Sequence, residues 1–125
     1  MKLTALGVCA GAAALSAAVL VPPAQAAPTA GVDHAMVDCS RSSMLHVTIE
    51  RDRNRFEVDF EIYSAPRERW TVTIAQGGRT LHTVAKTANR EGELDAWRYI
   101  PARSGAIEVS ARSASGETCR ASVRG

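Results

Sequence analysis

The sequence predicts an all-β fold, a single antiparallel β-sandwich of about seven or eight strands. Apolar and polar side chains alternate with period two in most segments after residue 33, which is the pattern of a half-buried strand. Turn residues separate these segments at roughly 8–12-residue spacing, as in sandwiches and small barrels. No segment shows the longer apolar period of an amphipathic helix.

The first three predicted strands lie between residues 37 and 63. Val37 and Cys39 share one side of the first strand. The next two strands run over 45–50 and 56–63, and the polar turn between them predicts a hairpin. The strand over 56–63 is the most regular amphipathic strand of the chain.

Five further strands complete the predicted domain. Residues 70–74 alternate around Trp70 and lead into a Gln-Gly-Gly-Arg turn, where paired glycines suit the positive φ angles of a tight hairpin. Residues 81–86 are less regular and more polar, as expected for an edge strand. The remaining predicted strands cover 93–100, 107–112 and 119–123.

Cys39 and Cys119 are predicted to form a disulfide. They are the two cysteines that remain if residues 1–26, which contain Cys9, are a cleaved leader. An even number of cysteines in an exported chain is typical of structural disulfides. Each cysteine shares the parity of apolar neighbours, so both thiols are expected to point inward and to join the first and last strands. The chain has no Cys-x-x-Cys pair, which favours a structural bridge over a redox or metal pair.

The order of hairpins from Leu45 to Val123, with Trp70 on a central strand, is similar to that of immunoglobulin-like and fibronectin-III-like sandwiches. The last hairpin turns at Ser-Ala-Ser-Gly, residues 113–116. The chain resembles the small secreted immunoglobulin-like proteins of actinobacteria, and the resemblance covers nearly all of it after the leader. It lacks the tyrosine corner of immunoglobulin domains, and the resemblance assigns no functional residue.

Residues 1–26 have the pattern of a signal peptide. Lys2 is followed by an apolar stretch from Leu3 to Val21 and by Ala-Gln-Ala at 24–26, a small-x-small cleavage motif. A retained membrane anchor and a lipoprotein acylated at Cys9 are the alternatives. The Ala- and Gly-rich stretch and the bulky Val8 before Cys9 both favour a cleaved leader.

Cleavage after Ala26 predicts a secreted, extracellular protein with no membrane contact, in which residues 27–32 are a flexible lead-in and 33–125 form the sandwich. The 13 arginines and one lysine left after cleavage nearly balance the 13 acidic residues. This balance excludes the basic excess of a nucleic-acid-binding protein. An extracellular protein or a component of the cell envelope is the expected partner.

The chain carries no catalytic motif such as Gly-x-Ser-x-Gly or His-Glu-x-x-His, so the sequence predicts no enzyme. His34, His46 and His82 lie on three different segments and are interpreted as solvent-facing side chains. The sequence therefore predicts no cofactor and no metal site.

Acidic side chains occupy one side of the most regular strand. Glu57, Asp59 and Glu61 alternate there, with Glu50 on the neighbouring strand. A solvated face that keeps the edge soluble is favoured over a patch for cations or for a basic partner. A flat strand face does not converge the six to eight oxygens that calcium needs.

Trp97 and Tyr99 are the candidate binding residues, and Tyr63 is expected to extend their patch. If Leu94 and Ala96 face the core, the two aromatic side chains face outward, where exposed aromatics mark binding surfaces. A β-bulge that turns Trp97 inward is the alternative. At least partial burial of Trp97 is favoured.

The function expected from these observations is that of an exported, non-catalytic binding or interaction module. The alternative is a secreted inhibitor of an extracellular protease or other enzyme. Its candidate reactive loops are Ser64–Glu68, flanked by Arg67 and Arg69, and Pro101–Gly105 with Arg103.

Overall fold

A computed structural model of the protein describes residues 32–124. These residues form eight β-strands joined by turns and loops. The strands are β1 (Val32–Asp38), β2 (Met44–Asp52), β3 (Arg55–Tyr63), β4 (Arg69–Gln76), β5 (Arg79–Thr87), β6 (Glu93–Pro101), β7 (Ala106–Ser113) and β8 (Thr118–Arg124). The predicted signal peptide over 1–26, Cys9 and most of the lead-in lie outside the described residues. Within residues 32–124 the structure contains no helix long and apolar enough to span a bilayer.

The eight strands form two antiparallel sheets of four strands each. The first sheet has the order β1-β2-β3-β6 and the second the order β5-β4-β7-β8. The predicted eight-stranded antiparallel sandwich is therefore confirmed. In immunoglobulin domains the fifth strand lies beside the second, whereas β3 takes that place here, so the likeness is in architecture and not in strand order.

The core lies between the sheets because one parity of each central strand is apolar. On β3, Phe56, Val58, Phe60 and Ile62 are buried while the alternate residues face outward. Trp70 of β4 is fully buried opposite them, and its indole Nε1 donates to Ser64 Oγ at 3.1 Å. Burial of such side chains contributes about 1.5–3 kcal/mol each.

The disulfide closes one side of the sandwich. β1 is an edge of the first sheet and β8 an edge of the second, and Cys39, directly after β1, is bonded to Cys119 of β8. The backbone N–H of Ser40 also donates to the carbonyl of Thr118 at 2.8 Å. The predicted disulfide between the first and last strands is confirmed.

The opposite side is closed by side chains of the edge strands β5 and β6. Arg98 Nε donates to His82 Nε2 at 2.9 Å, and Lys86 Nζ donates to the carbonyl of Asp95. Burial, and then the charge of Arg98, lower the pKa of His82. Both effects favour the neutral imidazole, the form that can accept the hydrogen bond from Arg98.

A buried carboxylate holds the loop that connects β1 to β2. Glu117 is only 6% exposed, and its Oε2 accepts the backbone N–H groups of Arg41 at 3.0 Å and Ser43 at 2.9 Å. Its other oxygen accepts the Ser43 hydroxyl, and its own N–H donates to Ser113 Oγ at 3.0 Å. Glu117 therefore fixes this loop against the β7–β8 turn, beside the disulfide.

Candidate binding surface

The three predicted patch residues lie on the outer face of the first sheet. Trp97 is 58% exposed, Tyr63 43% and Tyr99 37%. The pairing of β6 with β3 runs from Tyr63–Glu93 to Arg55–Pro101 without a register shift. The expected burial of Trp97 is therefore wrong, and no bulge turns it inward.

Arg98 is a charged residue at an inward position of β6. It shares the inward parity of Leu94 and Ile100, which are buried. Because β6 is an edge strand, the Arg98 side chain can extend out from between the two sheets. There it donates a hydrogen bond to His82 on β5, an edge strand of the other sheet. A charged residue at an inward position is thus compatible with regular alternation at an edge.

Trp97 and Tyr99 form a pair, and Tyr63 stands apart from it. The two rings meet edge to face, with centroids 5.2 Å apart and planes at 73°. Tyr63 pairs with Glu93 at the other end of β6, and its hydroxyl donates to Glu61 Oε2 at 2.8 Å. The aromatic patch expected from the sequence therefore consists of a pair and one separate tyrosine.

Met36 of β1 is a fourth exposed apolar side chain of the same face, at 57% exposure. The sequence analysis missed it, although the inward parity of Val37 already places Met36 outward. Met36, Tyr63, Trp97 and Tyr99 are the exposed large hydrophobic side chains within residues 32–124. All four belong to one face, because their strand partners place them on the same side of the first sheet.

The same face is strongly acidic. Strand register and alternation place eight of the chain's 13 acidic residues on it, and Arg55 is the one Lys or Arg among the described outward positions. We call this surface the acidic aromatic face. Its acidic residues are Asp38, Glu50, Asp52, Glu57, Asp59, Glu61, Glu93 and Asp95.

Like charges stand directly opposite each other on this face. Glu50 pairs with Glu57, and Glu61 pairs with Asp95. Such cross-strand pairs destabilise a sheet. The pKa of Asp59 is raised. Burial is the largest cause, and the charges of the neighbouring carboxylates, Glu57 before the others, come next. β3 lies inside its sheet, so the expected role of its acids in keeping an edge soluble does not apply.

Replacing Asp59 with asparagine is expected to raise the free energy of unfolding at neutral pH by about 0.2–1 kcal/mol, the scale of a cross-strand pair. A carboxyl with a raised folded-state pKa is harder to ionise in the folded protein, so its charge destabilises the fold above that pKa. Urea unfolding at pH 7 and pH 4 measures the gain, which should shrink at the lower pH. Glu91→Gln in the exposed β5–β6 loop is the control, and a less stable Asp59→Asn variant would contradict the prediction.

The side chain of Arg55 lies over the aromatic ring of Tyr99 on this face. The Arg55 guanidinium carbon lies 3.6 Å from the centroid of the Tyr99 ring, and Arg55 Nη2 donates to Asp52 Oδ2 at 2.9 Å. The neighbouring carboxylate of Glu57, more than any other cause, raises the pKa of Tyr99. A guanidinium is therefore held between an aromatic ring and a carboxylate at one end of the face.

The three histidines are divided between the two sheets. His34 and His46 are neighbours on the acidic aromatic face, with ring centroids 6.1 Å apart, and His46 Nδ1 lies 3.8 Å from Glu61 Oε2. His82 lies on β5 of the other sheet. Across residues 32–124 no group of three or more His, Cys, Asp or Glu side chains is arranged to hold a metal ion.

The outer face of the second sheet has the opposite character. Its outward positions carry hydroxyl side chains together with four arginines, Arg69, Arg112, Arg120 and Arg124. Glu108 is the one acidic residue among the described outward positions, and it forms an ion pair with Arg120. Negative and positive charges are thus divided between the two outer faces of the sandwich.

The two loops expected to inhibit a protease are held by hydrogen bonds. In the Ser64–Glu68 loop, Ser64 N–H donates to the Gly92 carbonyl at 2.7 Å, and Arg67 N–H donates to the Asn89 carbonyl at 3.0 Å. Gly92 is required here, because a Cβ atom would lie 2.0 Å from the Ser64 carbonyl oxygen. Arg67 has a φ of 60°, in the left-handed region, and so does not present an extended backbone.

The second loop, Pro101–Gly105, packs on Gln76. The Gln76 amide donates from Nε2 to the carbonyl of Arg103 at 2.7 Å, and Gln76 is 7% exposed. The side chain of Arg103 is exposed at the tip of the loop. The Ser64–Glu68 loop lies at the other end of β6 from the aromatic pair, whereas the Pro101–Gly105 loop begins two residues after Tyr99.

Comparison of the chain with protein-family models, with curated proteins and with solved structures found no match. The candidate surface is therefore assigned from its own residues and geometry.

Proposed function

We propose that the chain is an exported binding module without catalytic activity, and that it binds its partner through the acidic aromatic face. One observation carries the proposal: Met36, Tyr63, Trp97 and Tyr99, the large hydrophobic side chains exposed in the described residues, all lie on this face. Among them, Trp97 and Tyr99 are in direct contact. A contiguous exposed aromatic group marks an interaction site, and aromatic residues dominate binding energy at interfaces.

The shape of the face supports a macromolecular partner. It is the outer surface of a four-stranded sheet and not a cleft. Small-molecule sites are concave and enclose most of the ligand, whereas protein interfaces are broad. An extracellular protein or a component of the cell envelope fits such a surface.

Export is supported by the leader pattern and by the disulfide. Residues 1–26 combine a positive start, an apolar stretch and a small-x-small motif. The Cys39–Cys119 bond supports export, because structural disulfides persist in oxidising compartments outside the cytoplasm.

The test captures culture-supernatant and envelope material on the immobilised, disulfide-bonded mature protein. We expect a Trp97→Ala/Tyr99→Ala double variant to lose the captured material, because it removes the aromatic pair without changing charge. The matched control is Thr71→Ala/Arg112→Ala, a cross-strand pair exposed on the opposite face. Equal capture by the aromatic double variant and the wild type would contradict the proposal.

Two further measurements separate this function from its alternatives. The intact mass of secreted protein should correspond to a chain that begins at Ala27. A panel of extracellular proteases tests inhibition: micromolar inhibition that Arg67→Ala or Arg103→Ala abolishes would replace the binding-module proposal with the inhibitor alternative.

A further inference from the structure

We propose that the acidic aromatic face takes an arginine-rich polypeptide segment, with guanidinium groups stacked on Trp97 and paired with the carboxylates of β3 and β6. The inference rests on the proposed function, because it names the partner chemistry of the same face. Its support comes from the charges, the position of Trp97 and the contact of Arg55 with Tyr99.

Most of the acidic side chains of this face have no basic side chain close to them in the described residues. Two of its acids have a basic side chain within 4.0 Å: Asp52 forms an ion pair with Arg55, and Glu61 contacts the imidazole of His46. Within residues 32–124 the other six have no Lys, Arg or His at that distance. Since like charges also stand opposite each other, a cationic partner relieves repulsion that the sheet otherwise carries.

Trp97 stands where a cation would meet both an aromatic ring and carboxylates. It pairs across the strands with Asp59, which is flanked along β3 by Glu57 and Glu61. The indole is the best aromatic partner for a cation, and its attraction strengthens as water is displaced. A guanidinium lying on the exposed ring of Trp97 therefore has acceptors on the adjacent strand.

The contact of Arg55 with Tyr99 shows which cation this surface suits. Arg55 stacks on the ring while its Nε and Nη2 both donate to Asp52 Oδ2, at 3.2 and 2.9 Å. A planar guanidinium can stack and donate in its own plane at the same time, which a lysine ammonium cannot. Trp97 offers the same combination to an arginine supplied by a partner.

Charge argues against a glycan as the occupant of this aromatic face. A neutral glycan would stack on Trp97 but would leave the repulsion among the carboxylates unrelieved. A second copy of the chain would bring the arginines of its opposite face, of which Arg120 is already paired with Glu108, and the self-association measurement below tests that occupant directly. A separate polypeptide with several unpaired arginines would both stack on Trp97 and neutralise the carboxylates.

The experiment titrates the disulfide-bonded mature protein with synthetic ten-residue peptides by isothermal calorimetry. One peptide alternates Arg with Gly, a second replaces Arg with Lys, and a third replaces Arg with Glu. We expect the Arg peptide to bind most tightly, the Lys peptide more weakly and the Glu peptide not at all. Trp97→Ala, which keeps the charge, should weaken Arg-peptide binding roughly 2- to 30-fold, the range of a cation–π contact.

The charge contribution is measured separately. Asp59→Asn should weaken binding of the Arg peptide and reduce its salt dependence, while Thr71→Ala/Arg112→Ala should leave binding unchanged. Equal binding of the Arg and Lys peptides, with no effect of Trp97→Ala, would show non-specific charge attraction and overturn the inference.

Three other results would also overturn it. Binding of neutral chitohexaose that depends on Trp97 would identify a glycan site. Self-association in sedimentation velocity that Arg112→Ala abolishes would identify a second copy as the occupant. If no peptide binds while Trp97-dependent capture of culture material persists, the arginine-rich partner is wrong and the proposed function stands; if that capture is absent as well, both fail.

Discussion

Replacing Cys39 and Cys119 together with alanine is expected to lower the free energy of unfolding by about 2–5 kcal/mol while the β-sandwich still folds. The bond spans 80 residues of sequence and joins the edge strands of the two sheets. Its loss enlarges the unfolded ensemble, and it frees the side of the sandwich where β1 meets β8. Since a domain has about 5–15 kcal/mol in total, the loss is a large share of its stability.

Urea unfolding followed by far-ultraviolet circular dichroism measures this effect. A reducing agent should destabilise the wild type by a similar amount and leave the double alanine variant unchanged, which controls for effects of the reagent itself. A loss below about 1 kcal/mol, outside the usual range for native disulfides, would show that hydrogen bonds between the two edges suffice to hold them.

Replacing Glu117 with alanine is expected to cost about 2–4 kcal/mol, because it leaves buried hydrogen-bond donors without an acceptor. The donors are the backbone N–H groups of Arg41 and Ser43 and the Ser43 hydroxyl. Glu91→Ala in an exposed loop is the matched control and should change stability by less than about 0.5 kcal/mol. Equal stability of the two variants would contradict a structural role for Glu117.

The contribution of Glu117 should also depend on pH. Burial by itself would raise its pKa, but the hydrogen bonds from Ser43 and Arg41 outweigh burial, and the pKa is lowered. A carboxyl with a lowered folded-state pKa stabilises the fold above its unfolded pKa, and this stabilisation is lost as the pH falls through the folded value. The stability difference between wild type and Glu117→Ala should therefore be constant near neutral pH and shrink in acid, and a difference that grows in acid would contradict this assignment.

Local patterns in the sequence predict the strands and the hairpins but not the complete sheets. The β2–β3, β4–β5 and β7–β8 hairpins were predictable, because alternation and turn residues lie within one short segment. The pairings of β3 with β6 and of β4 with β7 join segments far apart in sequence. Alternation tells which side of a strand is apolar, but it does not tell which other strand lies beside it.

The same limit explains what was missed at the binding surface. Glu57, Asp59 and Glu61 were visible as an acidic strand face, but Glu93 and Asp95 join them through the β3–β6 pairing. Exposure of Trp97 was one of two alternatives, because a β-bulge that would turn it inward depends on how β6 pairs with β3, which local alternation does not show. Glu117 gave no signal, because its partners lie 74 and 76 residues earlier in the chain.

The division of charge between the two outer faces gives this nearly neutral molecule a permanent electric dipole across the sandwich. In the field of a negatively charged surface, the arginines of the second sheet turn toward that surface and Trp97 turns toward the surrounding medium. Orientation in a field depends on this separation and not on the net charge. A chain close to electrical balance can therefore approach such a surface in a defined orientation, with its aromatic pair accessible.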